Sequence, residues 1–293
     1  MNTLIEFKNI LVVGVGLIGG SIIRSLKDTN FSGKVYGIDN NKEAITLAHS
    51  YGFIENKTEN IPSDLDGLLV VFSVPVLSIE DAINKIERII ESEDVLYTDT
   101  LSVKSSILSA LRNLDQKILN RFVLSHPIAG SEKSGFEASA SDLFKNRLTI
   151  ICPHEGNSNA DLNKIEGFWN SLGSYTKKLS ANDHDELFAK TSHMPHVISY
   201  ALMDSLFQDL NEKTFLYSGG SLENYTRIAS SDPQMWKDIM VANDKSILSS
   251  IASFKDSLDK LSKLIEENNS DGLIDFFSFV KQARDKSISI EDN

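Results

Sequence analysis

The chain has 293 residues, enough for about two domains, and its 41% hydrophobic content is ample for a packed core in each. With 29 lysines and arginines against 41 acids, a formal charge of −12 and no basic run interleaved with aromatics, nucleic acid is excluded as an expected partner. The single cysteine, Cys152, cannot form an internal disulfide and ends an apolar run, as a buried, inert thiol would.

Taken in order, the first apolar run, Ile10 to Val13, passes directly into Gly14-x-Gly16-x-x-Gly19, the pattern of a buried strand turning into a helix. Glu6 and Lys8 stand just ahead of it, so it reads as neither a signal peptide nor a membrane span, and a cytoplasmic location is expected. The first glycine permits the tight turn, the second lets backbone approach a phosphate, and the third lets helix and strand pack closely. A dinucleotide pyrophosphate at that helix's amino end is the ligand this arrangement suits. About twenty residues past Gly19, the run Lys34-Val-Tyr-Gly-Ile-Asp39 ends in a carboxylate that could bond both ribose hydroxyls of an adenosine half. Asp39 would repel a 2′-phosphate and Asn40-Asn41 bring no arginine, which favours NAD over NADP, although Lys42 could partly neutralise such a phosphate.

Asn41 to Tyr51 suits a helix ended by Gly52, and Leu68 to Ser73 is a third buried strand stopped by Pro75. Cofactor contacts are expected at Gly14, Gly16, Leu17, Ile18, Gly19, Asp39, Ser73 and Pro75. Ile79, Ile83, Ile86 and Ile90 keep helical spacing, then Val95 to Asp99 and Phe122 to Ser125 read as two more strands. The alternation predicts a Rossmann-like, doubly wound parallel sheet. The segment from His126 to Phe144 is long for a connection inside a domain, and such loops tend to be functional.

Beyond Pro153 strands nearly vanish and helical patterns take over. The expected division is therefore a dinucleotide-binding domain over residues 1–152 and an all-α substrate and dimerisation domain over residues 153–293. Ile247, Ile251, Phe254, Leu258, Leu261 and Ile265 recur at steps of four and three, an apolar seam suited to a partner subunit or to an intramolecular bundle. A break at residues 268–272 precedes a final amphipathic helix from Leu273 to Ala283.

A bound nicotinamide calls for a base and for groups that hold the substrate's charges. His126 follows a strand at the sheet edge where open α/β sheets bind ligands, so it reads equally as a catalytic base or as a structural loop histidine. Ser102, past the strand ending at Asp99, could present its hydroxyl to the same cleft or cap a helix. His184 and the helically spaced pair His193 and His196 could bind an anion or bond internally; no third ligand has a characteristic spacing, so no metal site is expected. Arg227 could clamp a carboxylate or form a structural ion pair, and Trp236 reads as core.

Three stretches together carry a likeness: His126-Pro-Ile-Ala-Gly-Ser-Glu-Lys-Ser-Gly135, Ser192-His-Met-Pro-His196, and Thr226-Arg-Ile-Ala-x-x-Asp-Pro-x-Met-Trp236. In that order they resemble the prephenate/arogenate dehydrogenase family of tyrosine biosynthesis, and the resemblance covers nearly the whole chain. It implies a nucleotide-binding domain, a helical dimerisation domain forming a homodimer, and oxidative decarboxylation of prephenate with hydride transfer to NAD. It further implies His126 as base, Ser102 orienting the hydroxyl, Arg227 on a substrate carboxylate, and His193 and His196 lining the pocket. Thr100 and Leu101 stand where relatives often carry smaller or more polar residues, which bears on the backbone path near Ser102. The competing readings are an arogenate dehydrogenase, a β-hydroxyacid dehydrogenase with Lys190 as acid/base, and a noncatalytic NAD-binding regulator.

Overall fold

A computed structural model describes residues 5–29, 31–131, 133–209 and 217–291. The first strand, β1 (Asn9–Val13), leads into α1 (Leu17–Asp28). Then come β2 (Lys34–Ile38), α2 (Lys42–Ser50), β3 (Leu68–Phe72), α3 (Ile79–Glu87), β4 (Val95–Asp99), α4 (Ser105–Arg112) and α5 (Gln116–Arg121). They continue with β5 (Phe122–Pro127), β6 (Leu148–Cys152), α6 (Asn159–Ser171) and β7 (Tyr175–Lys178). The strands form one sheet in the order β2-β1-β3-β4-β5-β6-β7. The order reverses between β1 and β3, which opens a crevice at their carboxyl ends.

Side-chain alternation along the strands feeds two cores, one on each face. Ile10, Val12, Leu69, Val71, Leu96, Val123 and Ile151 pack with residues of α1, α2 and α6. Leu11, Val13, Val70, Phe72, Tyr97, Leu124 and Cys152 pack with residues of α3, α4 and α5. Strands buried on both faces read as continuous apolar runs, which is why β1 and β3 are legible in the sequence.

The sheet departs from the expected all-parallel arrangement on one side. β6 runs antiparallel to β5, and β7 pairs in parallel with β6. Pairing with β6 prolongs β5 through His126, opposite Ile150, so this histidine sits inside the strand's end rather than on the loop after it. β7 lies beyond Pro153, and its sequence Tyr-Thr-Lys-Lys has no apolar run because it is an edge strand with half-buried or exposed side chains. The long connection from β5 to β6 is anchored along α1. Ser21 Oγ accepts from Ala140 N–H at 3.0 Å, Arg24 Nε donates to Ser139 Oγ at 2.7 Å, and Ser25 Oγ donates to the Ser141 carbonyl at 2.7 Å.

The remaining elements are helical: α7 (Ala181–Phe188), α8 (Met194–Asp209), α9 (Gly220–Thr226), α10 (Pro233–Ala242), α11 (Asp244–Glu266) and α12 (Ser270–Glu291). Residues Ala189–His193 form a single π turn that joins α7 to α8 without a break. Pro195 supplies the reason: it has no N–H for the Thr191 carbonyl, and its ring presses on that carbonyl, so the turn before it widens. Asp232 caps α10 by accepting from Met235 N–H at 2.7 Å, with Pro233 at the first helical position.

Residues 245–293 form a unit of their own, made of most of α11 and all of α12. Asn268, at φ +50°, turns the chain between the two helices, and α12 begins at Ser270, earlier than the expected start at Leu273. Inside this unit Lys260 Nζ lies 5.6 Å from the Phe276 ring centroid. Of the expected seam, Ile247 is buried, while Leu258 and Ile265 are exposed, as are Ile274 and Phe277, and Phe279 is 73% exposed. No helix among the described residues is long and apolar enough to cross a membrane.

Candidate active site

The glycine turn sits at the crevice between β1 and β3. Gly14 has φ +92°, and a Cβ there would lie 2.3 Å from the Ser73 carbonyl oxygen, so only glycine fits between the two strand ends. A Cβ on Gly19 would meet the Gly14 carbonyl oxygen at 1.9 Å. Gly16 differs: a Cβ built there meets nothing within 4 Å, so its bareness answers to something other than the protein's own packing. It stands at the amino end of α1, where no side chain caps the helix. The residues present therefore fit a dinucleotide, with open space and free amides where the pyrophosphate belongs.

Asp39 follows β2 and closes the other side of this turn. Its Oδ2 accepts from Val15 N–H at 2.6 Å and its Oδ1 from Asn41 N–H at 2.7 Å, which fixes the carboxylate beside the glycine loop. Leu17 and Ile18 are half-buried in the first turn of α1. Ser73 accepts from Thr100 Oγ1 at 3.0 Å, tying the end of β3 to the segment after β4, and Pro75 is exposed just beyond.

A second cluster lies along the carboxyl ends of β4 and β5. The Lys104 side chain is fully buried and ion-paired with buried Asp99, and its Nζ also donates to the Ser125 carbonyl at 2.6 Å. Asp99 Oδ1 accepts from Ser125 N–H at 3.0 Å. Burial pushes the Asp99 carboxyl above its ordinary pKa against the pull of the Lys104 ammonium. This pair locks the residue before His126 to the segment that carries Ser102. Ser102 itself is half-buried and does not cap α4. That role falls to Asp185 on α7, whose two oxygens accept from the N–H groups of Lys104 and Ser105, each at 2.8 Å.

His126 Nδ1 lies 2.8 Å from His184 Nε2, and His184 Nδ1 lies 2.8 Å from Asp185 Oδ1. Phe188 covers both rings, 4.9 Å from His126 and 4.5 Å from His184 between centroids. Burial drives the His126 pKa well below its ordinary value, helped by the neighbouring charges, and burial also lowers His184. Burial opposes ionisation of Asp185, but hydrogen bonds from His184 and the two backbone amides hold its carboxyl below the usual range. His126 is thus an uncharged imidazole at neutral pH.

The π turn carries His193, buried, with Nδ1 3.2 Å from Asn243 Nδ2 and a pKa lowered by burial to about 4. Since the Asn243 amide nitrogen can only donate, His193 carries its proton on Nε2. That N–H and the Trp236 Nε1–H are buried without a hydrogen-bond partner among the described residues. His196 is half-buried, stacked on Trp236 at 3.6 Å between centroids, and Arg227 lies close enough to help lower its pKa, after burial. Trp236, expected in the core, is buried, and its indole packs against the His193 and His196 rings. Lys190 is exposed on the π turn. Glu132 of the loop motif lies outside the described residues.

Family models described as the prephenate dehydrogenase nucleotide-binding domain and the prephenate dehydrogenase dimerization domain match residues 22–177 and 180–279. The chain belongs to the prephenate dehydrogenase family. It is 32% identical to a cyclohexadienyl dehydrogenase of Zymomonas mobilis over 95% of both chains. It is 28% identical to a prephenate dehydrogenase of Bacillus subtilis over 94% of this chain and 75% of that one. A crystal structure of prephenate dehydrogenase from A. aeolicus, in complex with hydroxyphenyl propionate and NAD+, superposes with a TM-score of 0.88 at 35% identity, covering 96% of this chain and 98% of that one. The first family match ends at residue 177, within β7.

Proposed function

We propose that this member of the family oxidises prephenate with NAD, releasing carbon dioxide and leaving 4-hydroxyphenylpyruvate. The observation that carries the reading is the placement of His126 at the carboxyl edge of the sheet that bears the glycine turn, with its Nδ1 2.8 Å from His184 Nε2. NAD would be held by the turn from Gly14 to Gly19, with its pyrophosphate at Gly16 and its adenosine ribose on Asp39, and Ser73 and Pro75 bordering the same crevice. When bound there it supplies the hydride acceptor. The Asp39 carboxylate disfavours a 2′-phosphate, which supports NAD over NADP.

His126 takes the carbinol proton at Nε2, with Ser102 orienting the hydroxyl. Prephenate's carboxylates need donors in an acidic chain, and Arg227, His193 and the Trp236 N–H form a local group of them beside His196, whose own Nδ1–H is taken up by the Ser192 carbonyl. Neutral His193, donating through Nε2, gains its missing acceptor from the substrate, and Trp236 does the same. Loss of carbon dioxide aromatises the ring, so the step runs one way.

The active species is a homodimer joined through the helical unit, supported by the exposed apolar side chains of α11 and α12 and by the dimerization-domain match. The test is direct. Purified protein with NAD and prephenate should produce reduced cofactor with stoichiometric carbon dioxide, while arogenate or a β-hydroxyacid should be turned over more slowly. Faster turnover of either would displace the reading.

A further inference from the structure

Behind His126, an unbroken hydrogen-bonded row of three side chains fixes where each proton sits. Asp185 is ionised and held by two backbone amides, so it can only accept, and His184 must carry its proton on Nδ1. A buried, neutral His184 then has a bare Nε2, which can only accept from His126 Nδ1 at 2.8 Å. His126 is left with its proton on Nδ1 and a lone pair on Nε2. We propose that His184, anchored by Asp185, is a positioning residue that holds His126 in the Nδ1–H tautomer and so presents an unprotonated Nε2 to the substrate hydroxyl. This rests on the reading of His126 as the base.

In the step so arranged, the hydroxyl O–H bond breaks and its proton goes to Nε2, while its electron pair forms the carbonyl as the carbinol C–H bond breaks and that hydride leaves for the NAD that the glycine turn would hold. His126 becomes an imidazolium whose Nδ1–H already points at His184, with the Asp185 carboxylate beyond it. The charge therefore appears where an acceptor is already in place, without reorientation. Lys104, on the segment after β4, is turned to Asp99, and His193, on the π turn, is neutral. Neither offers His126 an acceptor. Phe188 on α7 covers both rings, so a packing role alone could explain a buried residue at position 184 but not the order of donors and acceptors.

Nitrogen-15 NMR of the full chain with labelled imidazoles, with and without NAD, reads the tautomer without turnover. His126 should show a protonated Nδ1 and an unprotonated Nε2. His184→Leu removes the acceptor and should move His126 toward the Nε2–H form, lowering kcat for prephenate by about 100-fold with little change in KM. His184→Gln, whose side-chain oxygen can accept from Nδ1–H, should recover a substantial part of both. An Nε2–H signal in the wild type, or His184→Leu with wild-type tautomer and kcat, would overturn the proposal. Should His184→Leu fail to fold by circular dichroism, the wild-type spectrum and His184→Gln still decide. Undiminished turnover by His126→Asn would instead remove the base reading while leaving the tautomer measurement intact.

Discussion

The Asp185 carboxylate accepts the backbone N–H of Lys104 at 2.8 Å, so the side chain that holds His184 also closes the amino end of α4. One residue on α7 thereby joins the segment bearing Ser102 to the row that ends at His126. Asp185→Asn keeps the size but gives up half of the acceptor capacity and all of the charge. It should lower kcat by at least about 10-fold and also lower thermal stability, since charge-assisted bonds to a helix end are worth about 1.5–3 kcal/mol each. Calorimetry alongside steady-state kinetics checks both halves; a stable, fully active variant would contradict them.

His126→Asn removes the imidazole lone pair. General-base catalysis contributes about 100- to 10,000-fold, so kcat should fall within that range while NAD affinity by isothermal calorimetry stays near wild type.

The pH dependence follows from burial. Because the His126 pKa is lowered, the acid limb of kcat/KM should lie below the ordinary histidine value of about 6.5, and the rate should remain flat through that pH. Stability moves in the same window. His126, His184 and His193 bind fewer protons folded than unfolded below about pH 6.5, so stability present above that value is lost as the solution becomes more acid. The slope approaches about 1.4 kcal/mol per pH unit for each histidine that must stay neutral. Urea titrations at stepped pH measure it, and a flat profile between pH 6.5 and 5 would refute it.

The glycines separate structural from ligand-directed bareness. Gly19→Ala would place a methyl 1.9 Å from the Gly14 carbonyl oxygen and should disrupt folding. Gly16→Ala should fold normally, since its methyl meets no protein atom, yet weaken NAD binding by about 10-fold or more as it enters the pyrophosphate's space. Thermal melts and cofactor titration distinguish the two.

Lys104→Met leaves Asp99 buried without its partner. Loss of one member of such a pair costs about 3–5 kcal/mol, whereas Lys104→Met combined with Asp99→Asn should recover much of it. At the exposed apolar face, Leu258→Asp with Phe279→Asp should give a folded monomer by sedimentation velocity; a persisting dimer would place the interface elsewhere.

Much of this architecture was legible from pattern. The strands β1 and β3, buried on both faces, announce themselves as apolar runs, and Gly14, Gly19 and Asp39 stand where a turn and a fixed carboxylate are needed. β7 escaped because an edge strand written Tyr-Thr-Lys-Lys has no buried face to betray it. The extension of β5 through His126 depends on antiparallel pairing with β6, a contact of distant segments that local pattern does not contain. The role of Asp185 was hidden for the same reason: it caps a helix some eighty residues away in sequence, so no spacing rule reaches it. Lys104 was also missed, although a lysine among Leu101, Val103 and Ile107 is a visible hint of a buried cation.

Pro195 has a consequence for angular phase. On an unbroken α-helix, His184 and His193, nine positions apart, would project in opposite directions, separated by about 180°. The widened turn from 189 to 193 uses up residues without a matching rotation, and Asn243 now spans from the Asp185 carbonyl to the His193 ring. The proline thus acts as a phase shifter that lets one helical run turn His184 toward His126 and His193 toward Trp236 and Asn243.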